Sequence, residues 1–516
     1  MELKNSINLI SKTFSKSPEE LFRVFEKAAE RVENFKINVP ALIFYFSFLI
    51  STREFLEQWF FSEYFSLSRF MHHFFFAFLV LMAGILIISL LARSQILKTT
   101  LVVSVGFIVV ILPPLIDYFI FLRDFPYDYL LPKEFIFNFF TFFLLTPKAG
   151  LGIAIEIAAI LFLASFYVLL KSRSLFRALL TGVALYFLVG LSATPRLYLP
   201  IPSMTNPVIW QSRHVIYFIF YLGLSIIIGL FFLYRINPAL PKALFSELSS
   251  FRTFHFILMV IAGTYLKKNL NWLEFPDFLY IIISILCVAI LWLSVVLINN
   301  VYDLEIDKIS NPNRFLVKGL ATSSEYLTLS LVLSIISLFV SSVLGVIAFI
   351  MTLIFLLSSL AYSLPPLRFR NRLFSTVFIG WGSVLAYFIG YFNGIRGFEI
   401  EITRDSLFIA ILLFLALSIG TMTKDLKDYE GDLRCAVKTF FTIYGKQKGK
   451  RIVSVLLCLS LLIPLILYHK IIDVIFFSIV AILISSTFFR QEKLLISYFG
   501  YGIVFFYCLL KITELI

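Results

Sequence analysis

Charged residues are scarce in this chain. Only 15% of its 516 residues are Asp, Glu, Lys or Arg, whereas 60% are hydrophobic, and the mean hydropathy is +0.94. Soluble globular domains average about 25% charged and about 45–50% apolar residues. The composition therefore excludes a soluble globular enzyme.

Cysteine is also scarce, and the four residues have no CxxC spacing: Cys287, Cys435, Cys458 and Cys508. Neither a disulfide framework nor a zinc site is expected. The first 36 residues lack the basic flank, apolar core and cleavage site of a secretory signal, so we expect no removable signal peptide. Alternating strands of about ten residues are missing too, which argues against an outer-membrane barrel.

Long apolar runs are abundant instead. A spanning helix needs about 20 apolar residues, so we predict an all-α polytopic transmembrane bundle of about 15 spans. Six spans are expected near residues 38–51, 71–92, 98–121, 150–171, 174–194 and 214–234. Residues 134–146 are too short for a confident span, and an interfacial or re-entrant helix is favoured there.

A polar, proline-containing stretch at residues 235–250 separates two halves. We predict an N-terminal membrane region at 1–245, of unknown function, and a second domain at 246–516. Nine spans are expected in that domain, near 251–266, 277–300, 325–342, 345–362, 373–393, 406–423, 451–468, 471–488 and 493–510.

The net charge of +13 comes from basic residues in the connectors. In the second half they concentrate after the even-numbered spans, and the positive-inside rule places those connectors in the cytoplasm. We therefore expect an integral protein of the cytoplasmic membrane with its active site facing the cytoplasm. The partners expected are the bilayer and phosphate groups, and no nucleic acid is expected.

Polar residues begin where the second span of this half ends, in the run Asn299-Asn300-Val-Tyr-Asp303-Leu-Glu305-Ile-Asp307. At about 100° per residue, Asn299, Asp303 and Asp307 share one helix face. A solvated helix end is an equally good interpretation of this segment alone.

The end of the sixth span supplies a second acidic face, formed by Asp425, Asp428 and Asp432. Both faces are on the same predicted side, and two converging carboxylate clusters repel unless cations bridge them. Oxygen ligands favour hard ions such as Mg²⁺, which usually share their shell with substrate phosphates. The implied ligand is therefore a diphosphate or polyphosphate.

Basic residues beside the acidic runs favour the same ligand, because guanidinium and ammonium groups suit phosphate oxygens. These candidates are Arg314, Arg368, Arg370 and Lys424. Topology marking is the alternative, and it is equally plausible for Arg370 and Arg372.

Residues 250–516 resemble the UbiA-type superfamily of intramembrane prenyltransferases. Its pattern N-[DQN]-x-x-D-x-x-x-D is similar to residues 299–307, and N-x-P-x-R-P-L-x-S-G to residues 311–319. Its pattern Y-S-x-P-P-L-R-x-K resembles residues 362–370, where Arg370 replaces the lysine, and K-D-x-x-D-x-E-G-D matches residues 424–432. The first half has no counterpart in ordinary members.

The resemblance implies transfer of an isoprenyl group from a prenyl diphosphate to an acceptor in a polar cavity. It implies Mg²⁺ ligands at Asn299, Asp303, Asp307, Asp425, Asp428 and Asp432, these five aspartates being catalytic. It implies diphosphate contacts at Asn299, Arg314, Arg368, Arg370 and Lys424. The acceptor is expected to be a lipid, such as an isoprenyl glycerol phosphate, or an aromatic quinone precursor.

Two points stay open. A transporter or a non-catalytic lipid-binding membrane protein is the alternative function, although transporter sites usually lie near the middle of the bilayer. Arg252 and His255, at the start of the first span of the second half, could contact an anionic acceptor. A membrane-surface arginine and a packed histidine are the favoured interpretation.

Overall fold

The computed structural model is a set of helices. It describes residues 17–61, 67–121, 129, 137, 139–141, 150–199, 207–267, 277–395 and 401–512, and no β-strand occurs among these. Within these ranges, twelve helices are long and apolar enough to cross a membrane, a bent pair makes a thirteenth, and two further apolar helices are shorter. The all-α polytopic bundle is confirmed, and each of the fifteen predicted spans coincides with one of these apolar helices.

The chain divides into two compact units, Met1–Pro238 and Ala239–Ile516. The first described helix of the first unit is the amphipathic helix Pro18–Glu33. The other described helices of this unit are Val39–Phe61, Leu67–Ala92, Ile96–Gly106, which continues through Phe107–Ile111 into Leu112–Phe121, then Leu151–Ser172, Leu175–Ser192 and Pro207–Ile236. Most of the segment 134–146, for which an interfacial or re-entrant helix is expected, lies outside the described residues.

The second unit begins at Ala239, because the helix Ala239–Leu248 packs against its neighbours in that unit. Glu247 Oε1 accepts a hydrogen bond from Asn300 Nδ2 at 3.0 Å. The remaining long helices of this unit are Phe251–Tyr265, Asp277–Tyr302, Ser323–Leu344, Val346–Ser363, Val377–Tyr391, Arg404–Gly420, Lys446–Leu462, Ile471–Gln491 and Leu494–Ile512. The short helices Leu304–Ser310, Tyr429–Arg434 and Phe440–Tyr444 lie in its connectors.

Small residues let the helices of the second unit approach closely, as is usual where lipid removes the hydrophobic drive to associate. A Cβ atom at Gly263 would lie 1.8 Å from the carbonyl oxygen of Tyr387, and one at Gly390 would lie 2.1 Å from that of Val260. The helices Phe251–Tyr265 and Val377–Tyr391 are therefore in backbone contact. No larger residue fits at either glycine without separating them.

Serine hydroxyls join the helices Asp277–Tyr302 and Ser323–Leu344. Ser294 Oγ donates to the carbonyl oxygen of Ser330 at 2.9 Å and lies 2.6 Å from Ser334 Oγ. Ser330 Oγ donates back to the carbonyl oxygen of Ser294 at 2.8 Å. These bonds satisfy the buried hydroxyls and fix the helix that carries the first acidic motif.

Candidate active site

The first acidic motif lies on a helix that is broken at Asp303. The long helix ends at Tyr302, Asp303 occupies a turn, and Leu304–Ser310 continues as a short helix. The amide of Asp303 still donates to the carbonyl of Asn299 at 2.8 Å, so the helical spacing is nearly kept. Asn299 Nδ2 also donates to Asp303 Oδ2 at 2.9 Å, and the two side chains therefore point the same way.

The second acidic motif departs from the single helical face expected for it. The span Arg404–Gly420 passes into a 3₁₀ turn, Thr421–Leu426, and a new helix, Tyr429–Arg434, begins after Asp428. Because of this break, Asp428 lines a cavity while Asp425 and Asp432 are buried outside its lining. Helical periodicity alone does not predict such a change from α-helix to 3₁₀ turn.

Gly431 allows the two motifs to meet. A Cβ atom at this position would lie 2.6 Å from Ser310 Oγ and 2.8 Å from the carbonyl oxygen of Ile306. The short helices Leu304–Ser310 and Tyr429–Arg434 therefore cross with their backbones in contact. Any side chain here would push apart the two groups of carboxylates.

Arg370 is the residue that connects the two acidic motifs. Its Nε lies 3.4 Å from Asp303 Oδ2, and its Nη2 lies 2.9 Å from Asp432 Oδ1 and 4.0 Å from Asp428 Oδ2. Its side chain is only 4% exposed. The expected cation between the clusters is thus, at least in part, a guanidinium group, and Arg370 is not a surface topology marker. Arg372, two residues later, is exposed.

Arg314 and Asn311 make a second bridge on the other side of the first motif. Arg314 forms an ion pair with Asp307 Oδ2, and its Nη1 donates to Asn300 Oδ1 at 2.8 Å. Asn311 Nδ2 donates to Asp307 Oδ1 at 2.9 Å and to Asp428 Oδ1 at 3.3 Å. The two motifs are therefore in direct contact.

The remaining predicted cations lie at the same place. Arg368 Nη2 donates to the carbonyl oxygen of Tyr302 at 2.7 Å and lies 3.4 Å from Asp303 Oδ1. Lys424 Nζ donates to the hydroxyl of Tyr362 at 3.0 Å. The structure thus gathers all ten predicted site residues around the contact of the two motifs: Asn299, Asp303, Asp307, Arg314, Arg368, Arg370, Lys424, Asp425, Asp428 and Asp432.

Burial dominates the acid–base properties of this cluster. It raises the pKa of Asp432 to about 7; the Arg370 guanidinium opposes the shift, and the nearby carboxylates Asp425 and Asp428 reinforce it. Burial also raises the pKa of Asp307, against the opposing effect of Arg314. For Arg370, burial would lower the pKa, but the surrounding oxygens outweigh it and raise the pKa, so this side chain stays charged.

The site opens into a cavity of about 120 Å³. Its polar end contains Asn299, Asp303, Asp307, Arg314, Arg370, Lys424 and Asp428, and its apolar end contains Phe256, Trp292, Val295, Val296, Phe355 and Phe378. A second cavity, of about 1180 Å³ and almost wholly apolar, shares the wall residues His255 and Tyr498 with the first. The pair of cavities provides charged groups next to a large apolar volume.

Arg252 and His255 lie at these cavities. Arg252 lines the small cavity, so it is not merely a membrane-surface residue. His255 lines both cavities, and its Nε2 lies 2.8 Å from Ser383 Oγ. His255 therefore has a hydroxyl partner and also faces both cavities.

The donor set fits a hard divalent cation. Asp425 Oδ1 and Asp432 Oδ2 are buried and form no hydrogen bond with any described residue, so they retain capacity for a positive ligand. Among the described residues, however, the three-residue metal-type cluster with ligand atoms within 4.8 Å lies in the first unit, not here. The carboxylates at this site are instead separated by arginine side chains.

Residues 256–500 match the UbiA prenyltransferase family. The second half of the chain belongs to this family. The UbiA-type domain is therefore a prenyltransferase, and the transporter alternative is set aside for this half. The first half lies outside the match.

Relatives of the UbiA-type domain include named enzymes. The digeranylgeranylglyceryl phosphate synthase of Sulfurisphaera tokodaii is 29% identical over 210 residues, which are 40% of this chain and 74% of that protein. The chloroplastic coumarin 8-geranyltransferase 1 of Citrus limon is 29% identical over 164 residues, 30% of this chain and 40% of that protein. A solved UbiA homologue from Archaeoglobus fulgidus, bound to DMAPP and Mg²⁺, is 16% identical and covers 50% of this chain and 97% of its own, with a TM-score of 0.39.

Sequence reasoning missed three residues that hold the UbiA-type site together. Asn311 links the motifs, Glu247 contacts Asn300, and Tyr362 binds Lys424. Asn311 and Tyr362 lie inside the family patterns and could have been singled out there. Glu247 lies before the matched region and carries no comparable signal.

Proposed function

We propose that the UbiA-type domain transfers an isoprenyl group from a prenyl diphosphate to an isoprenylated glycerol phosphate lipid, with Mg²⁺. The observation that supports this most strongly is the contact of two acidic motifs beside arginines, at the polar end of a cavity that also has apolar walls. The Sulfurisphaera tokodaii relative favours the lipid acceptor, and the Citrus limon relative is the reason to test an aromatic acceptor beside it.

The proposed metal ligands are Asn299, Asp303, Asp307, Asp425, Asp428 and Asp432. Bound Mg²⁺ would supply positive charge to the diphosphate leaving group. The chain's own residues position that group: Arg314 and Arg370 offer planar donor pairs that match phosphate oxygens, and Lys424 offers a point charge. These groups stabilise the charge that develops as the carbon–oxygen bond breaks.

The reaction replaces one carbon–oxygen bond by another. The bond between the first prenyl carbon and the diphosphate oxygen breaks, and the electron pair leaves with diphosphate. The acceptor hydroxyl oxygen bonds to that carbon, and its proton passes to the departing diphosphate. Phe256, Trp292 and Phe355 line the apolar end of the cavity, where they exclude water and present aromatic faces to positive charge on the prenyl group.

The test uses the purified full chain with labelled dimethylallyl, geranyl and geranylgeranyl diphosphates. Each is offered an isoprenylglyceryl phosphate or an aromatic acceptor, in Mg²⁺ or in chelator. We expect a metal-dependent ether product with the lipid. Product in chelator would refute the metal requirement, and product with only the aromatic acceptor would refute the lipid assignment.

A matched pair of variants tests the site itself. Asp303→Asn should lower turnover about 10²–10³-fold, the usual effect of losing one preorganised group that stabilises charge. Glu305→Gln is the control, because Glu305 is 73% exposed and pairs only with Lys308 among the described residues. Equal activity of the two variants would contradict the proposed site.

A further inference from the structure

The first unit contains a buried cluster of ionisable side chains that the prenyl-transfer site does not include. Glu54 and Glu57 lie three residues apart, and hence on one face, of the helix Val39–Phe61. His73 comes from the next helix, Leu67–Ala92. Both glutamates are less than 5% exposed, and one ligand atom from each of the three side chains lies within 4.8 Å of the others.

Ion pairs hold this cluster in place. Arg53 Nη1 contacts both carboxylate oxygens of Glu156, at 2.7 and 2.8 Å, and its Nε donates to Glu57 Oε1 at 2.8 Å. His73 Nδ1 lies 2.8 Å from Glu54 Oε2. Three helices are thereby connected through their charged side chains.

The cluster is rich in groups that bind metal ions. Three carboxylates, Glu54, Glu57 and Glu156, face the guanidinium group of Arg53, and Arg69 also acts on Glu54. Carboxylate oxygens together with an imidazole nitrogen are a ligand set that transition-metal ions accept.

The same cluster opens into a cavity of about 290 Å³, whose other walls are largely aliphatic. Histidines concentrate beside it: His72 lies 4.0 Å from the His73 ring and stacks on His214 at 4.9 Å, measured between ring centroids. These are three of the five histidines in the whole chain. The Nδ1 atom of His214 is buried and has no hydrogen-bond partner among the described residues.

We propose that Glu54, Glu57 and His73 bind a divalent transition-metal ion of the Zn²⁺ class. An imidazole ligand favours such ions over Mg²⁺, which prefers oxygen ligands alone. Three protein ligands leave one coordination position for a molecule in the adjoining cavity, as in open zinc sites. Arg53 and Glu156 lie behind Glu57 and orient its carboxylate.

The test titrates the purified, metal-depleted full chain with Co²⁺, whose visible absorption reports its ligands. Excess Mg²⁺ is present throughout, so that the oxygen ligands of the prenyl-transfer site are occupied. We expect one equivalent of Co²⁺ to produce absorption that Zn²⁺ abolishes. His73→Ala should weaken Co²⁺ binding by more than the 10–100-fold that is typical of residues behind the ligands.

His469→Ala is the matched control, because His469 is exposed and lies in the other unit. Its Co²⁺ spectrum should equal that of the unaltered chain. Glu54→Gln and Glu57→Gln keep the side-chain size and carry the same test if His73→Ala aggregates. No Co²⁺ absorption, or equal absorption in all variants, would overturn the proposal and leave a plain ion-pair network with protonated His73.

Discussion

Replacing Arg370 by alanine tests how the two acidic motifs are held together. Arg370 is the only side chain among the described residues that forms ion pairs with both motifs, reaching Asp303 on one side and Asp432 on the other. Asp432 is fully buried, and the Arg370 guanidinium lies 2.9 Å from its Oδ1. The alanine variant therefore leaves the buried Asp432 carboxylate without this ion-pair partner, whereas Asp303 keeps Arg368.

The expected loss is about 3–5 kcal/mol of unfolding free energy, as for the removal of one partner from a buried ion pair. At roughly 2–4 °C per kcal/mol for a domain of this size, the thermal midpoint should fall by about 6–20 °C. Arg370→Lys keeps the charge but contacts fewer oxygens, and it should lose about 1–3 kcal/mol. Since the family pattern that residues 362–370 resemble has lysine at this position, that variant should keep prenyl-transfer activity.

Arg372→Ala is the matched control, since Arg372 is exposed and only faces the Phe369 ring. Its free energy of unfolding should lie within about 0.5 kcal/mol of that of the unaltered chain. The assay is thermal unfolding in detergent, followed by tryptophan fluorescence and by loss of the monodisperse peak. Equal midpoints for the Arg370 and Arg372 alanine variants would refute the bridging role.

Three further outcomes are expected. Burial raises the pKa of Asp432 to about 7, and this carboxyl group must lose its proton to bind a cation. The Mg²⁺ concentration for half-maximal activity should therefore fall as the pH rises from below 7 to above 7. A concentration that does not change with pH would contradict this. Lys308 and Lys446 are exposed and can each be replaced by cysteine. Both cysteines should react with a membrane-impermeant reagent from the cytoplasmic side only. Labelling of the two positions from opposite sides would contradict the single-site proposal. A truncated chain beginning at Ala239 should retain metal-dependent prenyl transfer. If this truncated chain binds prenyl diphosphate but transfers nothing, the first half builds part of the acceptor site.

The spans were predictable because their length and apolarity are local properties of the sequence. The breaks at Asp303 and Asp428 were not, because the spacing of the acidic residues fits an unbroken helix equally well. Likewise, Arg370 and Arg372 look alike in the sequence. Only the three-dimensional packing makes one of them buried and the other exposed.

The cluster around Glu54 was also hidden from the sequence. A short span was expected near residues 38–51, before the charged residues Arg53, Glu54 and Glu57. The helix instead continues to Phe61. Partners on two other helices, His73 and Glu156, make the charged segment compatible with a buried position.

The five carboxylates of the UbiA-type site are matched in number by the cations Arg252, Arg314, Arg368, Arg370 and Lys424. A metal ion that binds alone must break ion pairs, because the carboxylates it needs are already paired with arginine. A diphosphate that binds alone must also break ion pairs, because the arginines it needs are already paired with aspartate. Each ligand releases the partners that the other one needs. Their binding energies are therefore coupled, and by thermodynamic reciprocity each tightens the other by the same factor. Such a site binds the metal ion and the diphosphate together. Complexes that contain only one of the two ligands are weakly populated.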